Sequence, residues 1–99
     1  MDYSSLDFIL GASAMEKSLF SSEYGVLLDE LRSARQHAGL TQNQLAANRK
    51  TTQSLVSKCE RGERRLDVVE LRSWCQALGV PFSKFLLAFE KAAAKRRAR

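Results

Sequence analysis

Apolar residues along this chain fall into short stripes with helical spacing. From Ser22 onward, Tyr24, Leu27, Leu28, Leu31 and then Ala38 follow the i, i+3, i+4, i+7 pattern of one buried helix face, with Asp29, Arg32 and Arg35 off it. Gly39 then suits a left-handed helix cap. A second, short helix is predicted to open at Thr41, because Thr41-Gln-Asn-Gln44 fits a capping box. Leu45 and Ala46 would face inward, and the pattern fades at Asn48-Arg49-Lys50. A third helix is expected from about Thr52 to Arg61, with Thr51 or Thr52 as N-cap and Gly62 as its stop. Its stripe is thin, Val56 and Cys59 alone, so most of its surface must be exposed.

The fourth helix has the strongest start signal. Asp67-Val-Val-Glu70 is a second capping box, and Leu66 and Leu71 occupy the positions of a hydrophobic staple. Leu71, Trp74, Cys75 and Leu78 form its buried face, Gly79 ends it and Pro81 blocks continuation. A fifth helix places Phe82, Phe85, Leu86 and Phe89 at helical spacing and runs on through Ala92-Ala93-Ala94 toward Arg99. Ahead of all five, residues 1–21 form a separate segment. There Tyr3, Leu6, Phe8, Ile9 and Leu10 mix with Asp2 and Asp7, and Ser13-Ala-Met-Glu16 reads as the cap of a short helix. The expected organisation is therefore an N-terminal arm or short helix (1–21), a helical domain (22–90) and a basic tail (91–99).

Composition narrows the class. A chain of 99 residues allows one domain, and 44% hydrophobic with 27% charged residues is ordinary for a globular protein. One proline and five glycines favour helices over many short strands. No apolar run is long enough to span a membrane, and the first residues lack the basic start of an export signal, so a cytoplasmic location is expected. Cys59 and Cys75 read as buried free thiols in a reducing compartment. His37, the single histidine, makes no metal-site pattern with them, and Trp74 reads as a packing residue. No nucleophile triad, phosphate-cradling glycine loop or carboxylate pair suggests catalysis, and neither a metal nor a cofactor is expected.

Charge is unevenly spread. Residues 1–30 carry a net −5, residues 31–66 a net +6 and residues 67–99 a net +4, for +5 in all. A basic middle on a small helical domain suits a polyanion, since cationic side chains release the counterions condensed on phosphate. The second and third helices, joined by a tight turn, have the helix-turn-helix layout. In that layout the second helix of the pair enters the major groove of double-stranded DNA and its N-terminal residues meet base edges.

The residues that carry a family likeness follow in order: Gly39-Leu-Thr-Gln42, Leu45-Ala46, Thr51-Thr-Gln-Ser54, Val56-Ser57-Lys58, Glu60-Arg-Gly62, Leu71 and Leu78-Gly79-Val80. Over residues 24–87 this set closely resembles the Cro/cI-type (xenobiotic-response-element) helix-turn-helix family of phage and bacterial repressors. The resemblance implies an all-α, five-helix, lambda-repressor-like domain. It also implies that Gln42 binds a phosphate and braces Gln53, which reads a base; adenine is the natural partner of a bidentate amide. Ser54 and Lys58 take further base-facing positions, and Leu55, at an exposed slot, would touch a thymine methyl. Thr52 and Ser57 become phosphate or sugar contacts, and the loop with Arg61, Arg64 and Arg65 tracks the backbone. Glu60 is expected to pair internally with an arginine. Two departures stand out: Arg49 occupies a usually apolar position and Lys50 a position often held by glycine. Arg49 would lay its stem on the core and carry its head toward the phosphates.

Single modules of this size contact few base pairs, so tight binding calls for a homodimer on two half-sites. Phe82, Phe85, Leu86 and Phe89 either complete the core or form part of the intersubunit face. Two competing functions remain at this stage. One is an antitoxin-like module that binds a protein partner through residues 1–21 and uses DNA binding for autoregulation. The other is RNA or non-specific nucleic-acid binding.

Overall fold

Helix starts in this chain are set by side chains that accept hydrogen bonds from otherwise bare backbone N–H groups. The computed structural model describes residues 22–97, with side chains from 23 to 96. It contains α1 (Ser22–His37), α2 (Gln42–Arg49), α3 (Gln53–Glu60), α4 (Val68–Leu78) and α5 (Phe82–Arg97), with no strand among the described residues. Both expected capping boxes form. At α2 the Gln44 N–H donates to Thr41 Oγ1 (3.1 Å) while the Thr41 N–H donates to Gln44 Oε1 (2.9 Å). At α4 the Glu70 N–H donates to Asp67 Oδ1 (2.7 Å) and the Asp67 N–H to Glu70 Oε1 (3.0 Å). Thr52, not Thr51, caps α3 by accepting from the Leu55 N–H at 3.1 Å. Such caps contribute about 1 kcal/mol each. They also fix the register of α3, which starts and stops one residue inside the span read from sequence.

Helix ends are set by left-handed residues. Gly39 (φ 75°), Gly62 (φ 83°) and Gly79 (φ 76°) fill three of these positions, and Lys50 (φ 57°) fills the fourth, between α2 and α3. In that last turn the Lys50 N–H donates to Ala47 O (3.1 Å) and the Thr51 N–H to Ala46 O (2.9 Å). The Ala46 and Ala47 carbonyls are thus satisfied, although a lysine rather than glycine bears the left-handed backbone.

One core joins all five helices: Leu31, Leu45, Ala46, Val56, Cys59, Leu71, Trp74, Cys75, Leu78 and Phe85. Removing a side chain of Leu or Val size from water contributes roughly 1.5–3 kcal/mol, so this cluster dominates the stability of so small a unit. Burial pushes the Cys75 thiol up to about 11 and raises that of Cys59 as well, which suits their expected role as small hydrophobes. The α1 face differs from the predicted stripe. Val26 is buried, whereas Ala38 lies past the helix end and is exposed. The reason is that α1 packs on both α5 and α3, so its buried surface is broader than a single stripe.

The fifth helix divides the four residues that the sequence left between core and intersubunit face. Phe85 is 3% exposed and belongs to the core, and Phe82, half-buried, packs against it. Phe89 is half-buried as well. Leu86 (39%) and Leu87 (56%) are the outward apolar residues, and Leu87 escaped the sequence reading. The helix runs unbroken past residue 90 and buries Ala93. The short helix and the partner-binding role expected of residues 1–21 lie outside the described residues, as do Ala98 and Arg99.

Candidate nucleic-acid interface

The outer face of the α2–α3 pair is built on one buried carboxylate. Glu60, at the last position of α3, is 2% exposed. Arg35 of α1 donates to it twice, Nε to Oε2 at 2.7 Å and Nη2 to Oε1 at 3.2 Å. Arg32 donates Nη2 to the Glu60 carbonyl at 3.0 Å. Gln42, the first residue of α2, donates Nε2 to Glu60 Oε1 at 3.0 Å. Gln53, the first residue of α3, donates Nε2 to Gln42 Oε1 at 2.7 Å. The four side chains form a relay in which each amide is oriented by the next group inward. A charge-assisted network of this kind holds geometry more firmly than isolated neutral bonds do.

The relay ends at an exposed amide. With one N–H given to Gln42, Gln53 retains its Oε1 and its second N–H, the donor–acceptor pair a bidentate base contact requires. The eleven-residue spacing of Gln42 and Gln53 therefore brings the two amides together, as the resemblance implied. Ser54 and Lys58 are exposed on the same short helix. Leu55 is corrected: it is half-buried and packs against the core, because α3 turns it toward the side that carries Val56 and Cys59. Thr52 is exposed, with its hydroxyl engaged as the cap.

The loop after α3 is more committed internally than its sequence suggests. Arg61 bonds Glu63 through Nε (2.8 Å) and Nη2 (3.1 Å) and also contacts Ser57 Oγ. Arg64 Nη2 bonds Glu70 Oε2 at 2.7 Å. The Arg61 guanidinium holds the Glu63 carboxyl below the ordinary range, and Arg64, helped by the Asp67 N–H, does the same to Glu70. Arg65 lies over the Tyr24 ring at 4.1 Å, and the Leu66 N–H donates to Tyr24 Oη at 3.2 Å. Tyr24 thus pins the loop to α1, a role its place in an apolar stripe gave no sign of. The pairs at Arg61 and Arg64 lie at the solvent-screened surface, so exchange of carboxylate for another anion costs little.

Arg49 is the other residue whose partner the sequence hid. Its guanidinium carbon sits 4.8 Å from the centroid of the Trp74 ring, and Trp74 is 0% exposed. Its head therefore stacks on the indole of a core residue, a partner the sequence did not indicate. Among the described residues no group of His, Cys, Asp and Glu is arranged to hold a metal ion, and no helix is long and apolar enough to cross a membrane.

Comparison with known proteins agrees with this geometry. The helix-turn-helix domain family matches residues 26–83. A solved XRE-family like protein from Pseudomonas syringae pv. tomato is 41% identical, with TM-score 0.70, covering 82% of this chain and 95% of that one. A crystal structure of the clp gene regulator ClgR from Corynebacterium glutamicum is 29% identical, with TM-score 0.67, covering 77% of this chain and 81% of that one. A second ClgR structure is 30% identical, with TM-score 0.62, over 75% and 91% of the two chains. A comparison with curated proteins gave no significant match. The paired short helices, the relay that joins their first residues and these likenesses together place the chain in the XRE-type helix-turn-helix family of DNA-binding transcriptional regulators.

Proposed function

We propose that this protein is a sequence-specific regulator that lays α3 in the major groove of double-stranded DNA and acts as a homodimer, repressing the promoter it occupies. The observation that carries the reading is the Arg35–Glu60–Gln42–Gln53 relay. It leaves one oriented amide exposed at the start of α3. Gln53 reads a base with its free donor and acceptor, adenine by preference. Ser54 and Lys58 supply further base contacts, with Lys58 suited to guanine. Phosphates are held by Thr52, Ser57, Arg61, Arg64 and Arg65, the paired arginines exchanging Glu63 and Glu70 for DNA. Gln42, its amide shared between Glu60 and Gln53, offers its remaining N–H to a phosphate. Two copies joined through the outward leucines of α5, Leu86 and Leu87, with Phe89 beside them, would span half-sites about 34–36 Å apart.

The test is a selection of bound sequences from a random DNA pool, followed by titration of variants on the winning site. A palindromic consensus is expected. Gln53→Ala should relax choice at one position in each half-site, whereas Arg64→Ala should weaken all sequences alike. A pool that yields no consensus, or two variants with the same effect, would overturn base reading by α3.

A further inference from the structure

Two cations at the C-terminal end of α2 have no anionic partner among the described residues. Arg49 stacks on Trp74 and buries its Nε with no hydrogen-bond partner. Lys50, the next residue, is exposed on its left-handed backbone. Neither forms an ion pair among the described residues. Glu70 feels the charge of Arg49, but its oxygens are taken by Arg64 at 2.7 Å and by the Asp67 N–H at 3.0 Å.

These cations border a cleft of about 250 Å³ between the ends of α2 and α4, lined by Asn48, Arg49, Lys50, Ser73, Gln76 and Ala77. The Asn48 side-chain amide donates to the Ala77 carbonyl at 3.3 Å and ties the two helices together there. The lining holds two positive charges, a hydroxyl and two amides, and no carboxylate. A water molecule takes about 30 Å³ of liquid volume, so the cleft has room for a tetrahedral or planar oxyanion. Two cations on a lining without a carboxylate favour an anion, and charge-assisted hydrogen bonds to it are roughly twice as strong as neutral ones.

We propose that this cleft is a binding site for a small oxyanion, a phosphoryl or carboxylate group. Arg49 and Lys50 supply the charge, and Ser73 and Gln76 supply neutral hydrogen bonds. That chemistry has two sources, a free small molecule or a phosphate of the DNA backbone. The proposal does not rest on base reading by α3, because its readout needs no DNA. Trp74 is the chain's single tryptophan and lies under Arg49, so its fluorescence reports on the site directly.

The experiment titrates the full chain with inorganic phosphate at an ionic strength held constant with sodium chloride, following Trp74 emission and the thermal midpoint. The wild type should show a saturable change in both. Arg49→Met, which keeps an apolar stem on the indole, should lose it. Lys50→Gly, which suits the left-handed backbone and so folds, should need about tenfold more phosphate, the loss of roughly one charge-assisted contact. A DNA titration of Lys50→Gly separates the sources. A weaker affinity with a salt slope reduced by about one identifies a backbone phosphate. An unchanged slope alongside the weakened phosphate response identifies a free oxyanion. A wild-type response equal to that with chloride alone, or an equal response in all three proteins, would overturn the site.

Discussion

At the first residue of α2 the Gln42 amide is held from both sides, by Glu60 and by Gln53. At the last residue of the same helix, roughly 10 Å away at 1.5 Å per residue, Arg49 lies on Trp74 with an unpartnered Nε, and Lys50 beyond it has no counter-charge among the described residues. Both ends sit on the same core, the first beside α3 and the second beside α4. They differ in whether the protein supplies the partners. At the relay every inner contact is made before DNA arrives, so little rotamer freedom remains to be lost at Gln53 on binding. At the Arg49 end the stacking fixes the cation, but its Nε has no hydrogen-bond partner among the described residues. A structured polar group and an unsatisfied one can thus occupy two ends of one eight-residue helix, and only the second advertises a missing ligand.

The largest test of this contrast is Glu60→Ala. It strands Arg35 and Gln42 around a buried site, and breaking a buried ion pair from one side costs about 3–5 kcal/mol. Urea unfolding should show that loss, and a stability within error of wild type would mean that the relay contributes nothing to the fold. Next come Gln42→Ala and Gln53→Ala. Each should cost about 1–3 kcal/mol of discrimination at the same base position. The double variant should cost less than the two together, since each amide acts through the other; strict additivity in competition binding would break the relay into independent contacts.

At the other end, Lys50→Gly should raise stability by roughly 1 kcal/mol, because glycine bears φ near +57° without the clash that a Cβ brings. A lower denaturation midpoint would show that the lysine side chain stabilises the turn by more than its backbone costs. The smallest effect concerns acid. Arg64 holds Glu70 below the usual carboxylate range, so the contribution of that pair is complete above the unfolded value of about 4.3 and fades as pH falls through the lower folded value. The thermal midpoint of wild type should therefore fall slightly faster below that pH than that of Glu70→Gln. Parallel curves would show that the pair is fully screened.

Much of the contrast was legible at one end and hidden at the other. Capping boxes at Thr41 and Asp67, glycine stops and the eleven-residue spacing of two glutamines are local signals, and local backbone chemistry decides them. The partner of Glu60 was foreseen only as some arginine. Selecting Arg35 over its neighbours requires knowing how α1 crosses α3, twenty-five residues apart in sequence. Tyr24 and Arg49 were harder still. A tyrosine in an apolar stripe reads as core until the loop with Arg65 and Leu66 folds across it, and an arginine beside Trp74 is visible only once α2 meets α4. Leu55 was misread for a related reason: on a short helix the boundary between core and surface shifts by one position with the angle at which a neighbour docks.

Helix starts, helix ends, the basic middle and the pairing of two short helices were all written in the chain, because each depends on residues within one or two turns of one another. The identity of the buried carboxylate's partners, the commitment of the loop arginines to Glu63 and Glu70, and the cations left open at the end of α2 arose only from assembly. Those features depend on distances between helices, and no periodicity along a single chain encodes how closely two of its surfaces approach.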